Sequence, residues 1–354
     1  MSENKFIHID MDSFFVSVEL LNAPHLHSKP VAVGGAAAER GVISTANYIA
    51  REYGVKSGMA TAAAYRLCPG LVLLPCRFDA YEAVTRHMDA VFRRYTDRVD
   101  FLSLDEATLD VTGQLHCKGS ATLMAYEIRS AIERELSLTA SAGVAPLKYL
   151  AKIASEVNKP NGLYVISPSE VKGFLYELDL RKIPGVGPKT YAVLEHLGCR
   201  LCKDLTEEKI PALVRHLGVH GFYVWERCQG IEASGEKLSN IRSHGVERTL
   251  PFDCFEYEAC IEELNSLFLG LENKISPLIN ANNFVIKNLV KLKFSDFTIS
   301  SSEAPASSLC KDTVASLCRT LWNSRRQARA VRLIGLSVKI KTKPTDDVQL
   351  ELPL

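Results

Sequence analysis

The sequence lacks a long apolar run, a strong net charge and any clustering of cysteines. Its apolar runs fall far short of the ~20 residues that a helix needs to cross a bilayer. The N-terminus, "MSENKFIHID", has no basic segment followed by an apolar stretch, as a signal peptide would. With 47% hydrophobic and 23% charged residues, the composition is that of a globular protein. We therefore predict a cytoplasmic protein that does not associate with a membrane, and its 354 residues indicate several domains. We also expect it to be a monomer.

The ten cysteines do not form a disulfide framework. They are scattered, and most lie in apolar segments such as "RLCPGLVLLPC", which is typical of buried, reduced thiols. Cys199 and Cys202 form a C-x-x-C pair, but a second ligand pair at zinc spacing is missing. The cysteines therefore predict neither a disulfide scaffold nor a structural metal.

The net charge is only +1, yet the positive charge is concentrated in one segment. Residues 274–343 contain 13 Lys and Arg residues and three acidic residues, a local excess of +10. Such a local excess is typical of a surface that faces phosphate groups. The alternative is a solvated face of a domain, and we favour the polyanion surface because the flanking segments are near neutral or acidic.

The order of predicted elements divides the chain into parts. Strands and helices alternate up to about residue 166, and residues 167–230 are predominantly helical. Residues 231–242 have the composition of a polar linker. From residue 243 onward the predicted order is β-α-β-β-α-β, with helices over 256–275 and 308–324 and strands over 284–296 and 330–341. The tail from Pro344 is predicted to be flexible.

Three carboxylates carry the clearest chemical signal. In "FIHID", Asp10 ends a strand and lies on the face opposite Ile7 and Ile9. In "FLSLDEATLD", we expect Asp105 at the end of another strand and Glu106 at the turn of a hairpin. Convergence of the three would require cations, and oxygen ligands favour Mg²⁺, the ion of two-metal phosphoryl transfer. The alternative is a turn whose acidic residues pair with surface lysines.

A possible triphosphate site follows from "TANYIAREYG" and "NKPNG". Tyr48 and Arg51 are three residues apart at the start of a helix and therefore share a face. A hydroxyl and a guanidinium suit a triphosphate. Lys159 could supply another cation, although a lysine that complements a helix dipole explains it equally well.

A glycine turn in "IPGVGPKTYAVLEHLG" predicts a second phosphate contact. Gly185 and Gly187 lie between two predicted helices, and the following helix N-terminus can hold a phosphate. Lys189 and the preceding Arg181–Lys182 add positive charge. This helix-hairpin-helix pattern contacts the DNA backbone without reading sequence.

Together these motifs resemble those of the Y family of translesion DNA polymerases, in its bacterial type. The segments that carry the resemblance span nearly the whole chain: "IHIDMDSFF", "GVISTANYIAREYGVKSGM", "RFDAYEAV", "LSLDEATLDVT", "TASAGVAPLKYLAKIASEVNKPNG", "IPGVGPKT", "GVERTL" and "VRLIGLSVKI". The implied fold class is a multidomain α+β right-hand polymerase with a C-terminal β-α-β-β-α-β little finger. The implied domains are a palm (1–10 and 78–166), fingers (11–77), a thumb with the helix-hairpin-helix (167–230), a linker (231–242), a little finger (243–342) and a tail (343–354).

The resemblance also implies roles for individual residues. Two Mg²⁺ ions would be held by the Asp10, Asp105 and Glu106 carboxylates and the backbone carbonyl of Met11, with Asp105 and Glu106 catalytic. Phe15 would exclude the 2′-hydroxyl of a ribonucleotide by steric clash. The residues implied to contact the deoxynucleoside triphosphate are Phe14, Phe15, Tyr48, Arg51 and Lys159. Ser44 and Gly58 would lie over the nascent base pair. The residues implied to contact primer-template DNA are Gly185, Gly187, Lys189, Arg248, Arg325, Arg326 and Arg332.

The last six residues, "QLELPL", resemble the short peptide by which bacterial polymerases bind the sliding clamp. The implied anchors are Gln349, Leu350, Leu352 and Leu354. The chain departs from the family pattern in two places. The segment "GGAAAERG" at 34–41 is poorer in charge than expected for this loop of the fingers, and "RRQARAVR" at 325–332 has alanines where glycines are common.

The sequence thus predicts an error-prone, template-directed DNA polymerase without a proofreading exonuclease that acts in DNA damage tolerance. Two alternatives remain open. A nucleotidyl cyclase can use the same palm and carboxylates, but it would need neither the glycine hairpin nor the basic segment. A catalytically inactive DNA-binding scaffold would bind DNA without incorporating nucleotides.

Overall fold

The computed structural model describes residues 4–232 and 241–343. The chain forms two compact units, one from Met1–Gly35 and Val42–Glu236 and the other from Ala36–Gly41 and Lys237–Leu354. Within the described residues, none of the helices combines the length and the apolar character that a membrane span requires.

The first unit contains eight strands and ten helices in its described part. The strands are β1 (Phe6–Met11), β2 (Val31–Gly34), β3 (Ile43–Ala46), β4 (Val72–Leu74), β5 (Val99–Phe101), β6 (Glu106–Asp110), β7 (Ala140–Ala145) and β8 (Leu163–Val165). The helices are α1 (Phe14–Leu21), α2 (Tyr48–Glu52), α3 (Thr61–Leu67), α4 (Phe78–Phe92), α5 (Ala121–Leu136), α6 (Lys148–Ser155), α7 (Val171–Tyr176), α8 (Pro188–His196), α9 (Ile210–Leu217) and α10 (Val219–Cys228).

A five-stranded sheet with the order β5-β6-β1-β7-β8 is the centre of this unit. Strand β1 pairs antiparallel with β6 on one side and with β7 on the other. The predicted alternation of β1 is confirmed, because Ile7 and Ile9 are fully buried in a core that includes α4 and α5. Phe6, on the opposite face, packs in a second core that includes α6. The sheet therefore has apolar contacts on both faces, and the polar ends of its strands remain for the site.

Helix α6 lies unusually close to the central sheet because β7 contains a glycine. A Cβ atom added at Gly143 would lie 2.0 Å from the carbonyl oxygen of Ala151 and 2.4 Å from the backbone nitrogen of Ser155. Real side chains essentially never approach backbone atoms so closely. Gly143 thus permits the close approach of α6, the helix that carries Lys152.

A separate three-stranded sheet, β3-β2-β4, has its own small core. Helix α2 begins directly after β3, with Asn47 as its N-cap: the Asn47 side chain accepts a hydrogen bond from the Ala50 backbone nitrogen at 2.9 Å. The predicted transition from a strand into a helix over "GVISTANYIAREYG" is confirmed. This transition fixes the positions from which the Tyr48 and Arg51 side chains project.

The helical character predicted for 167–230 is confirmed by helices α7 to α10. The element directly before the glycine turn differs from the expectation. It is a short 3-10 turn, Leu180–Lys182, rather than an α-helix. Asp179 caps this turn by accepting a hydrogen bond from the Arg181 backbone nitrogen at 2.8 Å. The extended Ile183 that follows ends it.

The second unit contains the predicted β-α-β-β-α-β order. Its elements are β9 (Ile241–Cys254), α11 (Tyr257–Ile275), β10 (Asn283–Phe294), β11 (Ile299–Pro305), α12 (Lys311–Arg325) and β12 (Val331–Thr342). The four strands form one antiparallel sheet in the order β11-β10-β12-β9, and α11 and α12 pack on it around a common apolar core. The predicted linker was too long at its end, because Ile241 and Arg242 already pair with Lys341 and Ile340.

Six of the ten cysteines are buried, in agreement with the expectation that most lie in apolar surroundings. The tail from residue 344 lies outside the described residues.

Candidate active site

Asp10 and Glu106 face each other across a strand pair. They are directly opposite in the antiparallel register of β1 and β6. Their side chains are 14% and 20% exposed, so both carboxylates are largely withdrawn from water. Ligand atoms of His8, Asp10 and Glu106 lie within 4.8 Å of one another. The sheet therefore brings together two of the three predicted carboxylates, together with a histidine that the sequence reasoning did not select.

Asp105 has a different position from the one we expected. It lies in the connection between β5 and β6 rather than at a strand end. Its carboxylate accepts a hydrogen bond from the Ser103 hydroxyl at 2.5 Å, which is the kind of local contact that favours turns over strands. Its backbone carbonyl accepts a hydrogen bond from the Met11 nitrogen at 3.0 Å. The peptide group of Asp105 is thus held beside the end of β1, while its side chain is outside the three-residue group.

Two lysines neutralise the paired carboxylates. The Lys159 ammonium donates to Asp10 Oδ1 at 2.7 Å and to Glu156 Oε1 at 2.6 Å. The Lys152 ammonium donates to Glu106 Oε2. Burial raises the pKa of Asp10 to about 7, although Lys159 opposes this shift. A hydrogen bond from His8 and another from Lys152 hold the pKa of Glu106 at about 2.

The residues at this site fit a hard divalent cation. Two carboxylates meet at one point, and carboxylate oxygens are the ligands that Mg²⁺ prefers. This arrangement is a possible acidic metal site.

Asp12 connects the predicted triphosphate residues, and the sequence reasoning missed it. Its side chain is 3% exposed. Oδ1 accepts hydrogen bonds from the Ser141 hydroxyl at 2.8 Å and from the Tyr48 hydroxyl at 3.4 Å. Oδ2 accepts one from the Asn161 backbone nitrogen at 2.8 Å, two residues after Lys159. The sequence feature that could have identified Asp12 is its spacing, since it follows Asp10 by two residues.

Tyr48 and Arg51 share a face of α2, as predicted from their spacing. The Arg51 guanidinium lies 4.7 Å from the centre of the Tyr48 ring. Arg51 also donates to the Ala46 backbone carbonyl at 2.9 Å. Burial raises the pKa of Tyr48 to about 12, and the nearby Asp12 carboxylate adds to this shift. Tyr48 therefore keeps its proton and can donate a hydrogen bond at neutral pH.

The two phenylalanines of α1 have different environments. The Phe14 side chain is 1% exposed and lies in the main core, so a ligand could reach only its backbone. The Phe15 ring is partly exposed and stacks on the Tyr81 ring, with ring centres 4.2 Å apart and planes 11° apart. The Tyr81 hydroxyl donates to Glu19 Oε1 at 2.7 Å. Glu19 also pairs with Arg77 at 2.8 Å, so the support of the Phe15 ring is itself fixed.

The two positions predicted to lie over a base pair are both small and accessible. Ser44 is partly exposed, and its hydroxyl lies 3.6 Å from the Cys76 sulfur. Gly58 is exposed and has a φ of +80°, with no atom within 4 Å of an added Cβ.

The predicted DNA contacts in the first unit are exposed. Gly185 has a φ of +91°, a conformation that favours glycine, and Gly187 caps the N-terminus of α8. Gly185, Gly187 and Lys189 are all on the surface. The turn is therefore on the surface, although the Gly185 carbonyl contacts the His220 ring at 3.1 Å and the Val186 nitrogen donates to the Ile183 carbonyl at 3.0 Å.

Some basic residues of the second unit form ion pairs with acidic residues, and others lie over aromatic rings. Lys287 and Lys339 both pair with Glu303, Lys291 pairs with Glu247, and Arg248 pairs with Glu263. Arg326 lies over the Trp322 ring at 4.1 Å, and Arg332 lies over the Phe297 ring at 4.7 Å. The loop that follows Arg325, the last residue of α12, has two residues in the left-handed region, Gln327 with a φ of +48° and Ala328 with a φ of +62°. The clamp-like residues Gln349, Leu350, Leu352 and Leu354 lie outside the described residues.

Comparison with known proteins agrees with this geometry. The family model described as "impB/mucB/samB family" matches residues 9–156, and its C-terminal domain matches 241–352. The model described as "IMS family HHH motif" matches residues 168–198, which include the glycine turn.

Full-length relatives and solved structures give the same family. The DNA polymerase IV of Cronobacter sakazakii is 49% identical over 353 residues, covering 99% of each chain. That of Salmonella typhimurium is 48% identical over 351 residues, covering 99% of this chain and 98% of the relative. A Y-family polymerase chimera of Dbh and Dpo4 matches with a TM-score of 0.84 and 30% identity, covering 94% of this chain and 98% of the chimera. An insertion ternary complex of Dbh DNA polymerase matches with a TM-score of 0.64 and 30% identity, covering 96% of this chain and 99% of the Dbh chain.

A right-hand α+β polymerase fold with a carboxylate site on its central sheet defines the class of protein as a DNA-directed DNA polymerase. The chain belongs to the Y family of DNA polymerases and, within it, to the bacterial DNA polymerase IV type. Translesion DNA synthesis is accordingly its function, and neither the cyclase nor the inactive scaffold is favoured.

Proposed function

We propose that the chain extends a primer 3′-hydroxyl at the site formed by Asp10, Asp105 and Glu106. The observation that supports this proposal is the direct register of Asp10 and Glu106 on β1 and β6, with both carboxylates largely buried. Asp10, Glu106 and, after a change in its side-chain direction, Asp105 would hold two Mg²⁺ ions, with the Met11 carbonyl as a further ligand. When bound there, the ions would activate the primer hydroxyl and neutralise charge on the phosphates.

Lys152 and Lys159 would hold the two carboxylates close together before the substrates arrive. Each lysine contributes one positive charge to a partly buried carboxylate, which reduces the repulsion between Asp10 and Glu106. Lys159 is then available to the triphosphate, since its ammonium group is already placed at the edge of the site. Asp12 holds Tyr48 at the same edge. Arg51 is exposed, and it would pair with phosphate oxygens through its planar guanidinium.

Phe15 would select against ribonucleotides. Its ring is fixed by the stack on Tyr81, so a 2′-hydroxyl at that place would meet a surface that cannot easily move. Ser44 and Gly58 would leave room above the nascent base pair for distorted templates. This combination suits a polymerase that accepts damaged templates and is error-prone.

DNA would be held by backbone contacts in both units. In the thumb (167–230), Gly185, Gly187 and Lys189 would bind phosphates of the duplex. In the little finger (243–342), Arg248, Arg325, Arg326 and Arg332 would bind further phosphates. The palm (1–10 and 78–166) and fingers (11–77) would hold the primer end and the nucleotide.

The tail would recruit the enzyme to the sliding clamp through Gln349, Leu350, Leu352 and Leu354, and the enzyme would act as a cytoplasmic monomer. Removal of residues 349–354 should abolish stimulation of primer extension by the clamp and leave clamp-free extension unchanged. Clamp stimulation of the truncated chain at the full-length level would exclude this role.

Primer extension on an undamaged template tests the central proposal. The intact protein should add deoxynucleotides in the presence of Mg²⁺, and the double variant Asp105→Ala, Glu106→Ala should add none while still binding DNA. Asp100→Ala is a matched control, because Asp100 lies in the same hairpin with a side chain that is 66% exposed. Failure of the intact protein to extend the primer while it binds DNA would reject the proposal.

A further inference from the structure

A histidine is buried beside the catalytic carboxylates. His8 lies on β1, two residues before Asp10, and is 0% exposed. Its ring is next to β6, where Thr108 is its direct partner in the register. If the buried imidazole only filled space in the core, its two ring nitrogens would lack hydrogen-bond partners. Both nitrogens of His8 instead face polar atoms of β6.

The two ring nitrogens have different partners. Nδ1 lies 2.9 Å from the Thr108 hydroxyl oxygen, a good hydrogen-bond distance. Nε2 lies 3.4 Å from Glu106 Oε2, slightly beyond an ordinary hydrogen bond, and in the described residues this buried nitrogen has no hydrogen-bond partner. The ring therefore bridges a hydroxyl on one side and a carboxylate on the other.

The chemistry of these partners selects one tautomer. A carboxylate only accepts hydrogen bonds, so a bare Nε2 would place two lone pairs against each other. A proton on Nε2 removes this conflict and leaves Nδ1 bare, and Nδ1 can then accept the hydroxyl proton of Thr108. The chain of contacts then runs from Thr108 to His8 to Glu106.

We propose that His8 is a positioning residue for Glu106: in its Nε2-protonated form, held by Thr108, it fixes Glu106 Oε2 and leaves Oε1 to the metal ion. Lys152 donates to the same oxygen, Oε2. In the described part of the chain, the Lys152 hydrogen bond and the His8 contact both reach Oε2, so Oε1 remains for a ligand. The proposal rests on the metal-binding role assigned to Glu106 under the proposed function.

Partners that orient a metal ligand change metal affinity or activity by about 10- to 100-fold when they are removed. His8→Phe keeps a planar ring of similar size and removes both nitrogens. His8→Gln restores one possible donor. Thr108→Val removes only the hydroxyl that fixes the tautomer. Thr96→Val is the matched control, because Thr96 is also buried and donates one hydrogen bond at 2.8 Å, but to Asp110.

The first test is the tautomer, which does not depend on activity. Two-dimensional ¹H–¹⁵N NMR of protein with labelled histidines, with His8→Phe used for assignment, should show His8 protonated on Nε2 and bare on Nδ1. The Thr108→Val variant should shift the Nδ1 resonance, and Thr96→Val should not. A proton on Nδ1 in the wild-type protein would overturn the proposal, whatever the protein does with DNA.

The second test is the Mg²⁺ dependence of single-turnover nucleotide insertion. The half-saturating Mg²⁺ concentration should rise about 10-fold in His8→Phe and less in His8→Gln, with much of the maximal rate recovered at high Mg²⁺. Thr96→Val should match the wild type. An unchanged half-saturating concentration in His8→Phe would overturn the proposal. If His8→Phe does not fold, Thr108→Val decides in the same assay.

The two proposals fail in distinguishable ways. A wild-type protein that inserts no nucleotide rejects the proposed function, and the NMR result still decides the contact between His8 and Glu106. A wild-type protein that inserts nucleotides, with a His8→Phe variant of unchanged Mg²⁺ dependence, rejects only the role of His8.

Discussion

Substitution of Gly143 by alanine tests how the fold positions the active site. Gly143 is in β7, where α6 crosses the central sheet. The added Cβ would lie 2.0 Å from the Ala151 carbonyl oxygen and 2.4 Å from the Ser155 nitrogen. The shorter of these is about 1.4 Å below an ordinary contact of 3.4 Å, and both atoms belong to the backbone. The helix must therefore move away from the sheet as a unit.

The expected cost is at the upper end of the range for overpacked cores, about 3 kcal/mol, because no flexible side chain can give way. For a unit of this size each 1 kcal/mol lowers Tm by roughly 2–4 °C, so we expect a decrease of about 6–12 °C. Movement of α6 also displaces Lys152 from Glu106. Primer extension should therefore decrease even below the unfolding transition.

Gly173→Ala is the matched control. Gly173 lies in α7, and an added Cβ would have no atom within 4 Å. The same substitution should there stabilise the protein by up to about 1 kcal/mol, because alanine is the better helix former. Differential scanning calorimetry gives both values, and primer extension at 25 °C gives the functional consequence. A Gly143→Ala variant that melts with the wild type would refute the packing argument.

Three further predictions concern single residues. Phe15→Val should raise ribonucleotide insertion relative to deoxynucleotide insertion at least 10-fold while changing deoxynucleotide insertion much less, as measured by single-nucleotide kinetics; unchanged sugar selection would remove Phe15 from this role. Arg332→Ala should reduce the slope of log affinity for DNA against log salt concentration by about 1. Lys339→Ala should change this slope less, because the Lys339 ammonium pairs with Glu303. Equal slopes in the wild type and both variants would show that DNA does not bind at Arg332. Ala328→Gly should stabilise the second unit by about 0.5–1 kcal/mol in denaturant unfolding, because Ala328 has a φ of +62°; a loss of stability would contradict the strain argument.

The secondary structure of this chain is largely readable from its sequence because local patterns and burial agree. The alternation in "FIHID" predicted which side chains of β1 reach the core, and Ile7 and Ile9 are fully buried. The order of elements from residue 243 onward predicted a two-layer domain, which the four-stranded sheet and its two helices confirm. Errors are confined to ends and short elements, such as the start of β9 at Ile241. These depend on tertiary pairing, which periodicity does not report.

The candidate site was less predictable, because its geometry depends on contacts between distant segments. Spacing placed Tyr48 and Arg51 on one face of α2, and the ring contact at 4.7 Å agrees. Asp12 was missed although it binds groups from three separate segments. Its partners Ser141 and Asn161 are about 130 and 150 residues away, and no local pattern connects them to it. A buried carboxylate of this kind is identified only once the sheet is assembled.

The lysines beside the carboxylates show why a sequence can indicate a chemistry and still leave its geometry open. Both interpretations of "FLSLDEATLD" predicted positive charge near the acidic residues: Mg²⁺ in a metal site, or lysines beside a surface turn. In the structure, Lys152 pairs with Glu106 and Lys159 pairs with Asp10; Lys152 lies in α6, and Lys159 lies in the loop after it. These lysines do not favour the surface-turn alternative, because Asp10 and Glu106 are largely buried and their partners are themselves only 17% and 35% exposed. An ion pair on the surface stabilises a protein little. A charged group that is largely buried, in contrast, needs a partner of opposite charge. The same confinement that requires lysines in the free protein makes the site suitable for cations that arrive with a nucleotide.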